Sequence, residues 1–174
     1  QKTLTHLEKA YALAPDTPSI QNSLAVMYLR LGDSGSAVDL LRSTVQRAPG
    51  FVAARVNLGN ALRGEKEYEA AGIAYEEALK LDDSFADANY NLGILYLENQ
   101  MGNLGELERY QRALRELERY RALRGISSSN EDVDGLIRET KGLIKLALER
   151  KEEALKAAEE DEEDEEEDVE EGVE

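Results

Sequence analysis

The 174-residue chain has no cysteine, no tryptophan, one histidine, three prolines and only 6% aromatic residues. Without cysteine there is no disulfide framework, no thiolate nucleophile and no thiolate metal site, and the redox compartment is left open. His6 has no Cys, His or carboxylate cluster around it at metal-ligand spacing, so it reads as a surface side chain. No apolar run reaches the length of a membrane span. P-loop, G-x-G-x-x-G and G-x-S-x-G patterns are missing as well. The sequence therefore implies no enzyme, no cofactor and no metal site.

Charge of one sign is abundant but local. The formal net charge is -16, yet residues 159–174 hold thirteen acids and no base, while residues 1–158 carry 21 bases against 24 acids. A balanced body lacks the concentrated basic face that nucleic acid or an anionic membrane requires, so neither partner is expected. The segment ELERYQRALRELERYRALRG, with six Arg, is nearly cancelled by Glu106, Glu108, Glu116 and Glu118. Its spacing, Glu108 to Arg112 for example, is that of a salt-bridged helix.

Ala, Leu and Glu dominate, the composition of an all-α protein. Asn-Leu-Gly occurs at Asn57 and again at Asn91, 34 residues later, and the same period joins other positions. Leu24, Leu58 and Leu92 share it, as do Ala25, Gly59 and Gly93, then Tyr28, Leu62 and Tyr96. Leu7, Leu41 and Tyr75 follow it too, with Ala10, Thr44 and Ala78. A fixed period of this length marks a stack of repeated units.

These positions resemble the tetratricopeptide repeat over residues 1 to about 105. No repeat has the leading Trp, and Asp83 stands where Pro is expected. The resemblance implies a right-handed α-solenoid. Residues 1–17 are expected to be a half repeat, with full repeats over 18–51, 52–85 and 86–125, so that the sequence starts inside a repeat as a piece of a longer protein. Helices are predicted over about 1–14, 19–32, 35–48, 52–64, 67–81, 86–98 and 104–124. The loop-like NQMGNLG predicts a lengthened turn, and about one inserted residue aligns Tyr110 and Ala113 with Tyr75 and Ala78.

A solenoid needs its last apolar face covered. Gly125 ends the preceding helix, Ser128 and Glu131 form an S-x-x-E capping box, and Val133, Ile137, Thr140, Ile144 and Leu148 follow at helical spacing. Residues 126–158 are thus expected to hold a capping helix. From 159 the like charges repel, and a disordered acidic tail is expected. It reads as a solubilising end, or as a polyanion that meets a basic partner or competes with an acidic ligand.

The family's first helices line a concave groove that receives a peptide segment of another protein. The resemblance places Ser23, Asn57 and Asn91 toward it, with Asn22, Val56 and Tyr90 one residue earlier and Val26, Asn60 and Ile94 three later. Arg30 and Arg63 lie toward the helix ends. Asn donates and accepts together, so Asn57 and Asn91 are expected to hold a peptide backbone, with Val26, Tyr90 and Ile94 in apolar contact. The same two Asn also suit a purely structural role between helices. Family modules that clamp a C-terminal carboxylate use Lys or Asn at positions where Asn22, Val26 and Asp87 stand here, which disfavours that subclass.

The junction NLGILYLEN, the turn after it, ERYQRALRELERYRAL and the charged last helix are also similar to tetratricopeptide proteins of myxobacteria and relatives, including a gliding-motility lipoprotein. That likeness implies a periplasmic or outer-membrane-attached adaptor. The expected function is a noncatalytic scaffold that binds a protein segment. A structural subunit assembling through its convex face or capping helix, and a noncatalytic region of a longer enzyme, stay open beside it.

Overall fold

The structure, a computed structural model, describes residues 2–125 and 131–171. The described residues form eight α-helices in chain order: α1 Lys2–Leu13, α2 Pro18–Arg30, α3 Ser34–Arg47, α4 Val52–Gly64, α5 Tyr68–Leu81, α6 Ala86–Glu98, α7 Glu106–Arg124 and α8 Glu131–Glu171. There is no strand among the described residues. Helices α2 with α3, α4 with α5 and α6 with α7 form hairpins, and successive hairpins pack chiefly through α3 on α4 and α5 on α6, with α2, α4 and α6 also touching in turn. The chain is an α-solenoid, with α1 packed on α2 ahead of the first hairpin.

Sequence dictates where the helices stop. Pro18 opens α2 at its first turn, where a missing N–H costs nothing. The Asp33 carboxylate caps α3 by accepting from the Ser36 N–H at 3.1 Å, a bond that holds its pKa below the ordinary carboxylate value. The first two hairpin turns share one backbone device. Gly32 and Lys66, one repeat apart, have φ of 81° and 63°. The next residue in each returns its N–H to a carbonyl five residues back, Asp33 to Tyr28 and Glu67 to Leu62. This is a Schellman closure, and only Gly32 is free of the Cβ penalty there.

The hairpins close on small residues. A Cβ built on Gly59 would lie 2.4 Å from the Tyr75 ring, so α4 and α5 approach only because position 59 has no side chain. In the first hairpin Ala25 and Leu41 hold the corresponding positions, both with no exposure. The Tyr75 hydroxyl donates to Asn60 Oδ1 at 2.7 Å. Burial of that ring pushes its pKa up to about 12, with Arg63 pulling the other way.

The third hairpin is built differently. Its connection runs over residues 99–105, four longer than the connections 31–33 and 65–67, where the sequence suggested about one inserted residue. The extra length seats Met101 beneath the turn, its Cε 3.1 Å from a Cβ placed on Gly72, while the Gly102 N–H donates to Glu69 at 2.8 Å. Arg109 Nη1 reaches the carbonyls of Tyr96 and Leu97, at 2.8 and 2.9 Å, and so takes up the end of α6. Four added residues in an antiparallel turn move each facing partner four positions along the second helix. The partner of Gly93 thus moves from residue 109 to Ala113, whose carbonyl lies 3.4 Å from a Cβ placed on Gly93, and Leu117, one turn further along α7, makes the nearest contact at 2.9 Å. Ala113 is fully buried as aligned with Ala78, but Tyr110, aligned with Tyr75, does not take the ring's place.

Helix α8 covers the end of the array. Val133 and Ile137 join Ile94 and Leu117 in a second core cluster. Thr140 and Ala147 continue the buried stripe while Leu148 is 42% exposed, because steps of four and three residues lead to 147 rather than to the expected 148. Ion pairs Arg121–Asp134, Lys141–Glu118 and Arg150–Glu106, at 2.9 to 3.3 Å, run beside that stripe. All are exposed, and each contributes at most about 1 kcal/mol. Gly125 ends α7 as expected, with φ 73°, whereas the capping box at Ser128 lies outside the described residues. The backbone stays helical to Glu171 where disorder was expected from 159. Glu is a strong helix former, and an already nucleated helix adds residues at no nucleation cost.

The two turn positions give a paired test. Lys66→Gly is expected to raise stability by a few tenths to about 1 kcal/mol, and Gly32→Ala to lower it by about 1 kcal/mol. A Cβ at Gly32 meets nothing within 4 Å, so its cost is purely conformational. Urea unfolding midpoints of the two variants check this; shifts of the same sign would contradict the shared closure.

Candidate functional site

The polar side of the first helices is where the expected groove residues fall. Asn57 Nδ2 donates to Asn22 Oδ1 at 2.9 Å across α4 and α2. The rung that pairs with Asn57 is therefore Asn22 and not Ser23, whose hydroxyl instead donates to the Ser19 carbonyl at 2.8 Å. Asn91 has no side-chain hydrogen-bond partner among the described residues. Ser23 and Arg30 are exposed, and Asn22, Val26, Asn57, Arg63 and Asn91 are half-buried. These seven keep exposed surface.

Four of the expected groove residues lie elsewhere. Val56 is 4% exposed in the main core, and Ile94 is 8% exposed under α8. Tyr90 packs on Tyr120 with ring centroids 5.1 Å apart, also beside that cluster. Asn60 is occupied by the Tyr75 hydroxyl. Helical rotation explains the pattern. One residue back or three forward from a groove position turns the side chain by about 100° or 60° toward the neighbouring helices. The residues before and after Asn57 and Asn91 thus enter the packing, and α8 closes over the third repeat.

A second polar series follows the same 34-residue period and was not singled out from the sequence: Gln21, Arg55 and Asn89. Gln21 is buried, donates to the Pro15 carbonyl at 2.8 Å and accepts from the Thr44 hydroxyl at 3.1 Å. Arg55 donates to the Pro49 carbonyl at 2.8 Å and pairs with Glu77, leaving its Nε unmatched. In both repeats a long polar side chain ties the first helix to the preceding proline turn and to the second helix. Asn89 holds the third position at the floor of a cleft of about 370 Å³ between α5 and α7. It lies two residues, about 200°, round the helix from Asn91 and so on the side away from the groove. The period itself was the available signal; a polar residue recurring among buried ones is what marks it.

The cleft also holds Glu116, whose side chain is 18% exposed. Burial raises its pKa above the usual 4.5, opposed by Arg115 and Arg119 and reinforced by Glu76. Among the described residues no three His, Cys, Asp or Glu are grouped to hold a metal ion, and no helix is long and apolar enough to cross a membrane.

Comparison with known proteins agrees with the repeat. Family models described as "Tetratricopeptide repeat" and "TPR repeat" match residues 4–50 and 59–100, together just over half of the chain. The chain belongs to the tetratricopeptide repeat family. A relative of this tetratricopeptide chain is the peroxisomal targeting signal receptor of Kluyveromyces lactis, 32% identical over 89 residues, which is 51% of this chain and 16% of that protein. The chain thus spans a small part of the length of that curated relative. Among solved structures, MamA protein superposes with a TM-score of 0.64 at 24% identity, over 92% of this chain and 83% of that one. The first repeat domain of Spaghetti (RPAP3), solved bound to the HSP90 peptide SRMEEVD, superposes with a TM-score of 0.63 at 16% identity, over 74% and 93%. At these identities the likeness shows the tetratricopeptide fold alone.

Glu116 generates a pH test. Its folded pKa is raised, so the folded chain binds this proton more tightly than the unfolded chain. The contribution to stability is present in full below 4.5 and is lost as pH rises through the folded value. Glu116→Gln is expected to raise the unfolding midpoint at pH 7 and to leave it unchanged at pH about 3.5. A variant that destabilises at neutral pH would contradict the desolvation account.

Proposed function

We propose that this chain is a noncatalytic scaffold that holds an extended segment of another protein across its concave face, as an adaptor within a larger assembly. The observation that carries the reading is the strip of Asn side chains on consecutive first helices. Asn57 and Asn22 use one donor and one acceptor on each other at 2.9 Å. Each amide keeps hydrogen-bonding capacity beyond that bond, and Asn91 keeps all of its own. A side-chain amide matches a peptide bond in donor and acceptor, so such a strip can hold backbone with little regard to sequence.

Membership of a repeat family used for recognition supports the proposal, as does a structural relative solved with a bound peptide. The apolar contribution is smaller than the sequence suggested, because Tyr90 and Ile94 pack beneath the last helices. Val26 remains beside the strip, and Arg30 and Arg63 bring positive charge to its ends. The occupant that fits is an extended segment held through its backbone, with acidic side chains toward the two Arg.

The test is a paired substitution. Once a partner segment is in hand, Asn57→Ala with Asn91→Ala is expected to weaken its binding roughly tenfold or more, two amide hydrogen-bond sites being lost. A photo-crosslinking residue at exposed Ser23 is expected to capture the segment, and one at Ile73, which is 57% exposed on α5, is not. Unchanged affinity in the double variant, or capture from Ile73 alone, would contradict groove binding.

A further inference from the structure

The apolar stripe of α8 is longer than the helix it packs on. Val133, Ile137, Thr140 and Ala147 are buried, and the helix beneath them is chiefly α7. The furthest ion pair along α8 that reaches α7 is Arg150–Glu106 at 3.3 Å, and Glu106 is the first residue of α7. The α8 backbone nonetheless stays helical to Glu171, about 30 Å past that point. Steps of four and three carry the stripe on from Ala147 through Lys151, Ala154 and Ala158, with Leu148 and Leu155 along one edge. Every residue from Lys151 to Glu159 is exposed. Leu155 is 54% exposed and Leu148 42%.

The covered part of α8 shows the chemistry that suits the free part. Against α7 the apolar stripe is flanked by the ion pairs Arg121–Asp134, Lys141–Glu118 and Arg150–Glu106, to which each helix gives both bases and acids. Beyond Arg150 the balance is one-sided. Residues 151–171 hold fourteen acids against Lys151 and Lys156. Glu152 and Glu153 are exposed and have no ion pair among the described residues. Acids three and four apart on a helix repel, so such a run keeps helical form best beside a neighbour of opposite sign. A second copy of this chain brings the same acid run, and Lys141, Lys145 and Arg150 of its α8 are already paired.

We propose that the free stretch of α8, residues 148–158 with the acid run after it, is a docking face for an amphipathic basic helix of a partner protein. The partner helix continues the line of α7 past Glu106. Its apolar side chains lie on Ala154, Leu155 and Ala158 with Leu148 at the edge, and its Lys and Arg side chains meet Glu152, Glu153 and the acid run. This extends the interface between α7 and α8, an apolar stripe between ion pairs, with all the bases now on one helix. The face uses none of the groove residues and does not depend on groove binding.

The experiment titrates the full chain with a synthetic helix of leucine, alanine and lysine whose leucines share one face, reading the backbone amide resonances of Leu148, Leu155 and Ala158. One comparator has the same composition with the leucines spread round the helix, and a second has glutamate for every lysine. Saturable shifts at the three amides are expected with the first peptide, weakening as salt is raised. Binding is expected to be roughly tenfold weaker for the spread peptide and absent for the glutamate one. Leu148→Gln with Leu155→Gln, both at exposed positions, is expected to unfold with the parent and to bind the first peptide roughly tenfold less tightly. Asn57→Ala with Asn91→Ala is expected to leave the response intact, which separates this face from the groove. Equal binding of the two lysine peptides, no saturable shift, shifts confined to residues 159–171, or full binding by the folded double glutamine variant would each overturn the proposal. A dimer of the chain alone in sedimentation, lost in that variant, would give the face to a second copy and overturn it too. The comparison of peptides on the parent protein stands whether or not any variant folds.

Discussion

The approach of two helices at a residue without a side chain sets the geometry of this solenoid. Gly59 lets the Tyr75 ring lie where a Cβ would be, and the ring fixes both the distance between α4 and α5 and their rotation. That rotation decides which residues of α4 turn outward. Asn57 faces away from the ring while Val56 and Asn60 are drawn into the packing. The polar strip on the first helices is therefore a consequence of the close contact behind it. Tight interiors transmit such constraints because they have no slack to absorb them.

The third hairpin shows what happens when one part of the pattern changes. Four more residues in the turn move the partner of Gly93 along α7, and a leucine replaces the tyrosine ring. Arg109 then serves the end of α6, Met101 fills the space below the turn, and Arg119 takes the carbonyl that Gln21 and Arg55 lead one to expect for Asn89. The same shift presents Leu117 to α8, whose Val133 and Ile137 seal the array. The cleft with its unmatched amide and the capped end thus have one origin. The same packing places Ile94 and Tyr90 beside Val133, Ile137 and Tyr120.

Much of this was legible in the residues. The 34-residue period located six hairpin helices to within two residues at every end, because Pro15, Pro49 and the small residues act locally. A helix after Gly125 was readable from Val133 and Ile137 at helical spacing. Which of the residues expected in a groove keep exposed surface was readable only in part. Asn57 and Asn91 lie on the accessible side as the period implies, but the flanking positions depend on a rotation of tens of degrees that the sequence pattern does not resolve. The length of the inserted turn was underestimated because aligning Ala113 with Ala78 satisfies the pattern at more than one register along a helix. Gln21, Arg55 and Asn89 passed unnoticed because their role comes from carbonyls in neighbouring turns, which a hydrophobic pattern does not mark.

The contact between position 59 and position 75 governs the second hairpin, and a double-mutant cycle there tests it directly. Gly59→Ala alone is expected to destabilise by about 1–3 kcal/mol, since overpacking outweighs the gain of about 1 kcal/mol in helix propensity. Combined with Tyr75→Leu it rebuilds the Ala25 and Leu41 pair of the first hairpin, and the cost of the alanine is expected to fall to zero or reverse. Unfolding free energies of the parent, both single variants and the double variant give a coupling of at least about 1 kcal/mol if the contact governs the hairpin. Additive effects would contradict it.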